Sequence, residues 1–187
     1  MQEEINKIVP YLEAGKTILY PTDTIWGLGC DPANTEAVSR LYKIKNREDH
    51  KAMIVLIAEI GQLYQYVSQI PEIAWDIVEF AERPLTIIYP QGKGVSPNML
   101  GEDGSIAVRL TRDEFCVKLI KKFRRGLVST SANISGSPSP KGYADIVKEI
   151  TESVDYIADH KRNVALNNPP STIIKLAMDG EIKFIRK

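Results

Sequence analysis

A single α/β domain on a mixed, twisted sheet is the fold this sequence predicts. Short apolar runs of strand length alternate with segments of helical periodicity early in the chain. Two further apolar runs close it on either side of Met178-Asp179-Gly180, and Asp-Gly between apolar runs is a hairpin signal. A chain of 187 residues, 43% hydrophobic and 26% charged, suits one domain over 1–187 with ample core.

Charge and cysteine usage narrow the function classes. Lys+Arg and Asp+Glu both number 24, and the pI is about 6.7. That balance argues against bulk, non-specific nucleic-acid binding and leaves a local basic cleft open. Cys30 and Cys116 stand far apart with no metal or redox spacing, so a reduced, cytoplasmic setting is expected. The acidic start Met1-Gln2-Glu3-Glu4 has no apolar run behind it, unlike a signal peptide. No apolar stretch approaches the roughly 18 residues of a membrane span.

Taken in order, residues 3–14 carry Ile5, Ile8, Val9 and Leu12 at helical spacing, with Gly15 at the C-terminal cap position. Thr17 to Tyr20 is a short strand stopped by Pro21. Thr22 to Cys30 reads as a turn with two glycines, or as one wall of a ligand pocket with Thr22 or Thr24 as hydroxyl donors. Asn34 or Thr35 caps a helix whose buried stripe is Ala37, Val38, Leu41, Tyr42 and Ile44. It ends in Lys45, Asn46 and Arg47, and the basic loop continues through His50 and Lys51. Cations there complement the helix dipole by about 0.3–1 kcal/mol each; the same donors suit the edge of a phosphate site.

Met53 to Ile57 is a strand apolar on both faces. Residues 59–67 and 71–82 are expected to be helical, with Ile73, Ile77 and Phe80 on the apolar face of the second and Trp75 in the core. Leu85 to Tyr89 is a strand, and Gln91 to Gly104 is a glycine-rich loop. Ser105 to Leu110 is a strand interrupted by Arg109, which either faces solvent or binds a carboxylate or phosphate at a cleft. Thr111 and Glu114 form a capping-box pattern for a helix that buries Phe115, Leu119 and Phe123 and stops at Gly126. Its cations Lys118, Lys121, Lys122, Arg124 and Arg125 are a solvated surface or an RNA-binding face. Leu127-Val128 is a short strand leading into Ser129-Thr130-Ser131-Ala132-Asn133, a hydroxyl run that is either a turn or an anion-binding loop. A helix over 143–150 and strands over 154–158, 171–176 and 181–186 follow.

Two nucleotide signatures are missing, the Walker loop and the dinucleotide Gly-x-Gly-x-x-Gly. With only His50 and His160, a serine–histidine–carboxylate triad has little support.

Several segments together resemble the YrdC/TsaC family. Tyr20 to Gly29 resembles its opening motif, Lys45-x-Arg47 and Ser131-x-Asn133 its signature pairs. Arg83 to Thr86, Ile106 to Arg109, Ser131 to Ser139 and Ser171 to Ile174 follow its pattern in the family's order, over nearly the whole chain. Departures are Glu82-Arg83-Pro84 for the usual Pro-Gly-Pro, Glu48 after Arg47, Leu56 for a frequent histidine, and Asn168-Pro169-Pro170 for a glycine-rich approach to Ser-Thr.

The resemblance implies a concave, basic cleft in a short form without an extra C-terminal domain. It also implies a nucleotidyltransferase that makes L-threonylcarbamoyladenylate from L-threonine, bicarbonate and ATP, releasing pyrophosphate. Partner proteins would pass the group to a tRNA adenosine next to the anticodon. By the same resemblance, Lys45, Arg47, Ser131 and Asn133 form the catalytic set. ATP would lie on Arg47, Lys51, Ser105, Ser131, Ser139 and Arg186. Threonine would lie on Thr24, Arg109, Ser129 and Thr172, with Arg109 on its carboxylate. Magnesium would arrive with ATP, without dedicated protein ligands. The alternative is a non-catalytic RNA-binding module of the same fold.

Overall fold

The computed structural model describes residues 1–46, 53–166 and 168–187. The roles expected of Arg47, His50 and Lys51 lie outside the described residues. Among the described residues nine strands form one sheet: β1 (Ile18–Pro21), β2 (Trp26–Gly29), β3 (Ile54–Ile57), β4 (Leu85–Tyr89), β5 (Ile106–Leu110), β6 (Leu127–Ser131), β7 (Tyr156–Ile157), β8 (Thr172–Leu176) and β9 (Ile182–Arg186). Their order is β7-β1-β2-β6-β3-β5-β4-β8-β9, with parallel and antiparallel pairs mixed. This is the expected mixed α/β sheet. Among the described residues no helix is long and apolar enough to cross a membrane.

The helices divide between the two faces because strand side chains alternate. On one face Leu28, Val55, Ile87, Val108, Val128 and Ile174 meet the stripe of α2 (Thr35–Ile44) and the short α3 (Leu63–Tyr66) and α4 (Ile73–Glu79). On the other, Ile18, Tyr20, Leu56 and Leu127 lie under α1 (Gln2–Glu13) and α5 (Glu114–Phe123). These two helices cover only one end of that face. Two residues along β3 and β6, Ile54 and Ser129 lie beyond the helical cover and line a cavity.

Several local expectations change. Trp26–Gly29, expected in a turn, is a strand, because the Thr22 hydroxyl closes a tight turn by accepting the Thr24 and Ile25 N–H groups at 3.1 and 3.3 Å. Gly29 must be bare, since a Cβ there would stand 2.6 Å from the Tyr20 ring and 2.7 Å from the Val128 carbonyl. The hydroxyls Ser129, Thr130 and Ser131 belong to β6 itself rather than to a turn after it. The 59–67 segment is a 3-10 turn at Ile60–Gln62 followed by α3. The 143–150 segment splits into a 3-10 turn at Tyr143–Asp145 and α6 (Lys148–Thr151). The 71–82 helix shortens to α4, which buries Ala74 and Val78 and leaves Ile73 and Phe80 exposed. Pro84 disfavours helical backbone at Arg83, which limits any extension.

The Thr111 capping box does not form. Thr111 donates its N–H to the Ile57 carbonyl at 2.9 Å and so extends the sheet. Asp113 caps α5 instead, accepting the Cys116 N–H at 3.0 Å. The helix ends at Arg124 in left-handed backbone, φ 62°, ahead of Gly126. Gly126 is a packing position, where a Cβ would lie 2.7 Å from Val55 and 3.0 Å from the Leu56 carbonyl. The basic face of α5 is mostly compensated: Lys118 pairs with Glu114, Lys121 with Glu59 and Arg125 with Asp31, while Lys122 bonds Asn6. This is a solvated surface whose cations are largely paired within the fold.

The short edge strand β7 is held by a buried-edge carboxylate. Asp155 accepts the Thr17 N–H at 2.8 Å, the Thr17 hydroxyl at 2.9 Å and the Arg40 guanidinium at 2.7 Å. Burial alone would raise its pKa, but the Thr17 and Arg40 bonds outweigh that and lower it. A lowered pKa stabilises the fold above the unfolded value of about 3.9, and the contribution is lost as pH falls below it. Asp155→Asn is therefore expected to lower stability by about 2 kcal/mol near pH 7, the scale of hydrogen bonds to a charge. Urea midpoints at pH 7 and pH 3 check this: the difference from the unsubstituted protein should shrink at pH 3.

Candidate functional site

The uncovered part of the sheet is a cleft of about 320 Å³. Its floor is set by strand register. Ile88 on β4 stands beside Ala107 on β5, Ala107 beside Ile54 on β3, and Ile54 beside Ser129 on β6. Gly27 on β2 continues the floor opposite Ser131. The small residues Gly27, Ala107 and Ser129 leave room for a ligand, and hydroxyls on either side supply polar contacts.

Arg109 stands at the border between the helix-covered end and the open cleft, in register with buried Leu56. It is only 4% exposed. One terminal nitrogen donates to the Asp23 carboxylate at 3.0 Å and the other to the Thr24 hydroxyl at 3.3 Å. Its Nε is buried and lacks a hydrogen-bond partner among the described residues. A buried guanidinium with an unpartnered donor beside a cleft has the chemistry that suits a carboxylate or a phosphate. This settles the orientation of Arg109: it faces the cleft, not solvent.

The opposite wall carries Arg186 at the end of β9. Its Nε and a terminal nitrogen donate to the Ser171 carbonyl at 3.0 and 2.7 Å. Burial, and then the charge of Arg109 across the cleft, push its pKa down. Mutual repulsion of this kind is relieved when an anion enters between two cations. Ser171 also meets Thr86 at 2.8 Å, hydroxyl to hydroxyl, both fully buried.

Of the residues predicted for the site, Thr24, Ser105, Arg109, Ser129, Ser131, Ser139 and Arg186 line the one cleft. Lys45 and Asn133 do not line it but support it. Lys45 is 2% exposed, and its ammonium donates to the Ser131 carbonyl and, at 2.7 Å, to the Asn133 carbonyl. Asn133 in turn donates to the Ser137 carbonyl at 2.6 Å, folding the loop that carries Ser139. Thr172 falls elsewhere: register pairs it with Leu85, on the face opposite Thr86, and its predecessor Ser171 lines the cleft instead. Thr86, Ser171 and Asp23 escaped sequence reasoning. Thr86 had a usable signal, since it lies two residues from the floor residue Ile88 in a strand that is otherwise apolar.

The family model described as telomere recombination, which joins Sua5, YciO and YrdC proteins, matches residues 10–187. A threonylcarbamoyl-AMP synthase of Pseudoalteromonas translucida is 37% identical over 184 residues, 97% of each chain. One of Idiomarina loihiensis is 38% identical over 161 residues, 84% of this chain and 85% of its own. Among solved structures, P. abyssi Sua5 complexed with L-threonine superposes with a TM-score of 0.83 at 30% identity. That match covers 94% of this chain and 52% of the Sua5 chain, so the chain spans about half the length of that structure. E. coli YciO shares the fold, with a TM-score of 0.86 at 24% identity over 100% of this chain and 90% of its own. The chain belongs to the Sua5/YciO/YrdC family.

Proposed function

We propose that this chain is an L-threonylcarbamoyladenylate synthase, a nucleotidyltransferase acting on ATP, L-threonine and bicarbonate. The observation that carries the reading is the buried Arg109 guanidinium, unpartnered at Nε, facing Arg186 across a hydroxyl-lined cleft. Two cations and a set of short donors suit two anions held side by side, a carboxylate and a polyphosphate. The named synthases at 37% and 38% identity support the same activity.

In this reading threonine adds through its nitrogen to bicarbonate, losing water, and gives the carbamate. A carbamate oxygen then forms a bond to the α-phosphorus of ATP, and the bond to the pyrophosphate oxygen breaks. Pyrophosphate leaves with the electron pair, and the adenylate remains. The chain need not supply a nucleophile. Its work is to bring the anions together and to stabilise charge developing on phosphate oxygens. Arg109, Thr24 and Ser129 orient threonine. Ser105, Ser131, Ser139 and Arg186 hold the nucleotide, joined by Arg47 and Lys51. Lys45 and Asn133 fix the loop that presents Ser131 and Ser139.

Among the described residues no three His, Cys, Asp or Glu side chains group as a metal site. We infer that magnesium would arrive on the triphosphate, where it would neutralise phosphate charge. The product is reactive, and we infer that partner proteins in the cytoplasm pass its threonylcarbamoyl group to the tRNA adenosine beside the anticodon. Pyrophosphate release by the purified protein tests the reading. Release that requires both bicarbonate and L-threonine is expected, and release independent of threonine overturns it.

A further inference from the structure

We propose that Asp23 is a positioning residue for amino-acid recognition: it orients the Arg109 guanidinium so that its open side receives the substrate carboxylate. This rests on the function proposed above. The turn that carries Asp23 is rigid. The Thr22 hydroxyl accepts the N–H groups of Thr24 and Ile25 and donates to the Ile25 carbonyl at 2.7 Å. From the other side, the Asn168 amide donates to the Asp23 carbonyl at 2.7 Å. The carboxylate is thereby fixed at the rim, with its side chain 20% exposed.

Asp23 reaches the guanidinium through one contact only, Oδ1 to a terminal nitrogen at 3.0 Å. A carboxylate that neutralised Arg109 fully would take two parallel bonds. Here the second terminal nitrogen goes to the neutral Thr24 hydroxyl, and Nε stays unpartnered in a buried setting. Asp23 thus fixes the plane of the guanidinium and compensates its charge when the cleft is empty, while leaving donors for a second carboxylate. Without it, a buried cation would lose its only carboxylate contact among the described residues and its fixed orientation. Asp23 also lines a smaller cavity of about 130 Å³ bordered by Pro84, Leu85, Leu110 and Arg112.

The test is calorimetric titration of L-threonine into the whole protein, together with steady-state kinetics. Asp23→Ala is expected to raise the threonine Kd and KM about 10-fold, the scale of one charge-assisted bond, with kcat and the KM for ATP nearly unchanged. Asp23→Asn keeps the shape and an acceptor oxygen, so an intermediate rise is expected; it also serves if the alanine variant folds poorly. In an Arg109→Ala background, adding Asp23→Ala should leave the Kd where it was, because the residue acts through Arg109. A threonine Kd unchanged in Asp23→Ala, or an equal further loss in the Arg109→Ala background, overturns the role alone. Absence of threonine binding by the unsubstituted protein overturns the functional reading and this role with it.

Discussion

Replacing Lys45 by methionine is expected to cut adenylate synthesis by about 100-fold and to lower the unfolding midpoint at the same time. Methionine fills nearly the same length but has no donor. The Ser131 and Asn133 carbonyls would then lose the buried ammonium that they share. An unsatisfied buried polar group costs about 1–3 kcal/mol, so the two together amount to a large part of a domain's net stability. The catalytic loss follows from the same contacts. Ser131 and Ser139 stand in the cleft because the loop between them is held at both ends, by Lys45 on one side and by the Asn133 amide on the other. A loop displaced by about 1 Å costs on the order of 100-fold in rate. Urea denaturation and pyrophosphate release on the same preparation check both parts. Normal stability with lost turnover would mean instead that the ammonium acts on a phosphate.

Lys45 also shows where sequence reasoning ends. Its place at the end of a helix was legible, since the 3.6-residue period of Ala37, Val38 and Leu41 sets the α2 stripe and Asn34 caps it. A cation there reads as a dipole partner or a phosphate ligand. That its ammonium lies on backbone carbonyls more than eighty residues away is a property of β6 and the loop after it, which no local pattern encodes. The same holds for β2. Trp26-Gly27-Leu28-Gly29 lacks the β-branched run that marks a strand, yet it pairs with β1 and β6, with Gly29 packed bare against the Tyr20 ring and the Val128 carbonyl.

Register decides the rest. Ser171 and Thr172 are adjacent, and either could serve a cleft; a shift by one residue exchanges the faces of every side chain in a strand. The pairing of Thr172 with Leu85 sends Ser171 and Ile173 to the cleft side. By contrast, apolar runs such as Ile54 to Ile57 and Leu85 to Tyr89 were legible as strands, because burial on two faces leaves little choice of residue. The Asp-Gly hairpin was equally local: Gly180 takes φ 90°, and its N–H donates to the Ala177 carbonyl at 3.1 Å. The Asp23–Arg109 pair was not legible, because it joins residues 86 apart in sequence.

Arg109→Ala is expected to raise the threonine Kd by about 10- to 100-fold, the range for losing charge-assisted bonds to a carboxylate, while ATP affinity changes much less. The asymmetry is the point. Arg109 lies in the Leu56 row, at the edge of the helix-covered end, while the hydroxyls assigned to the nucleotide line the open part of the cleft with Arg186. Arg109→Lys separates charge from geometry. Lysine keeps the cation but not the planar fork, so it cannot reach Asp23, Thr24 and a substrate carboxylate together. It should recover only part of the lost threonine affinity. Titrations of each variant with L-threonine and with ATP decide the matter. Equal losses for both ligands would remove the carboxylate contact from Arg109 and assign the residue to the phosphates.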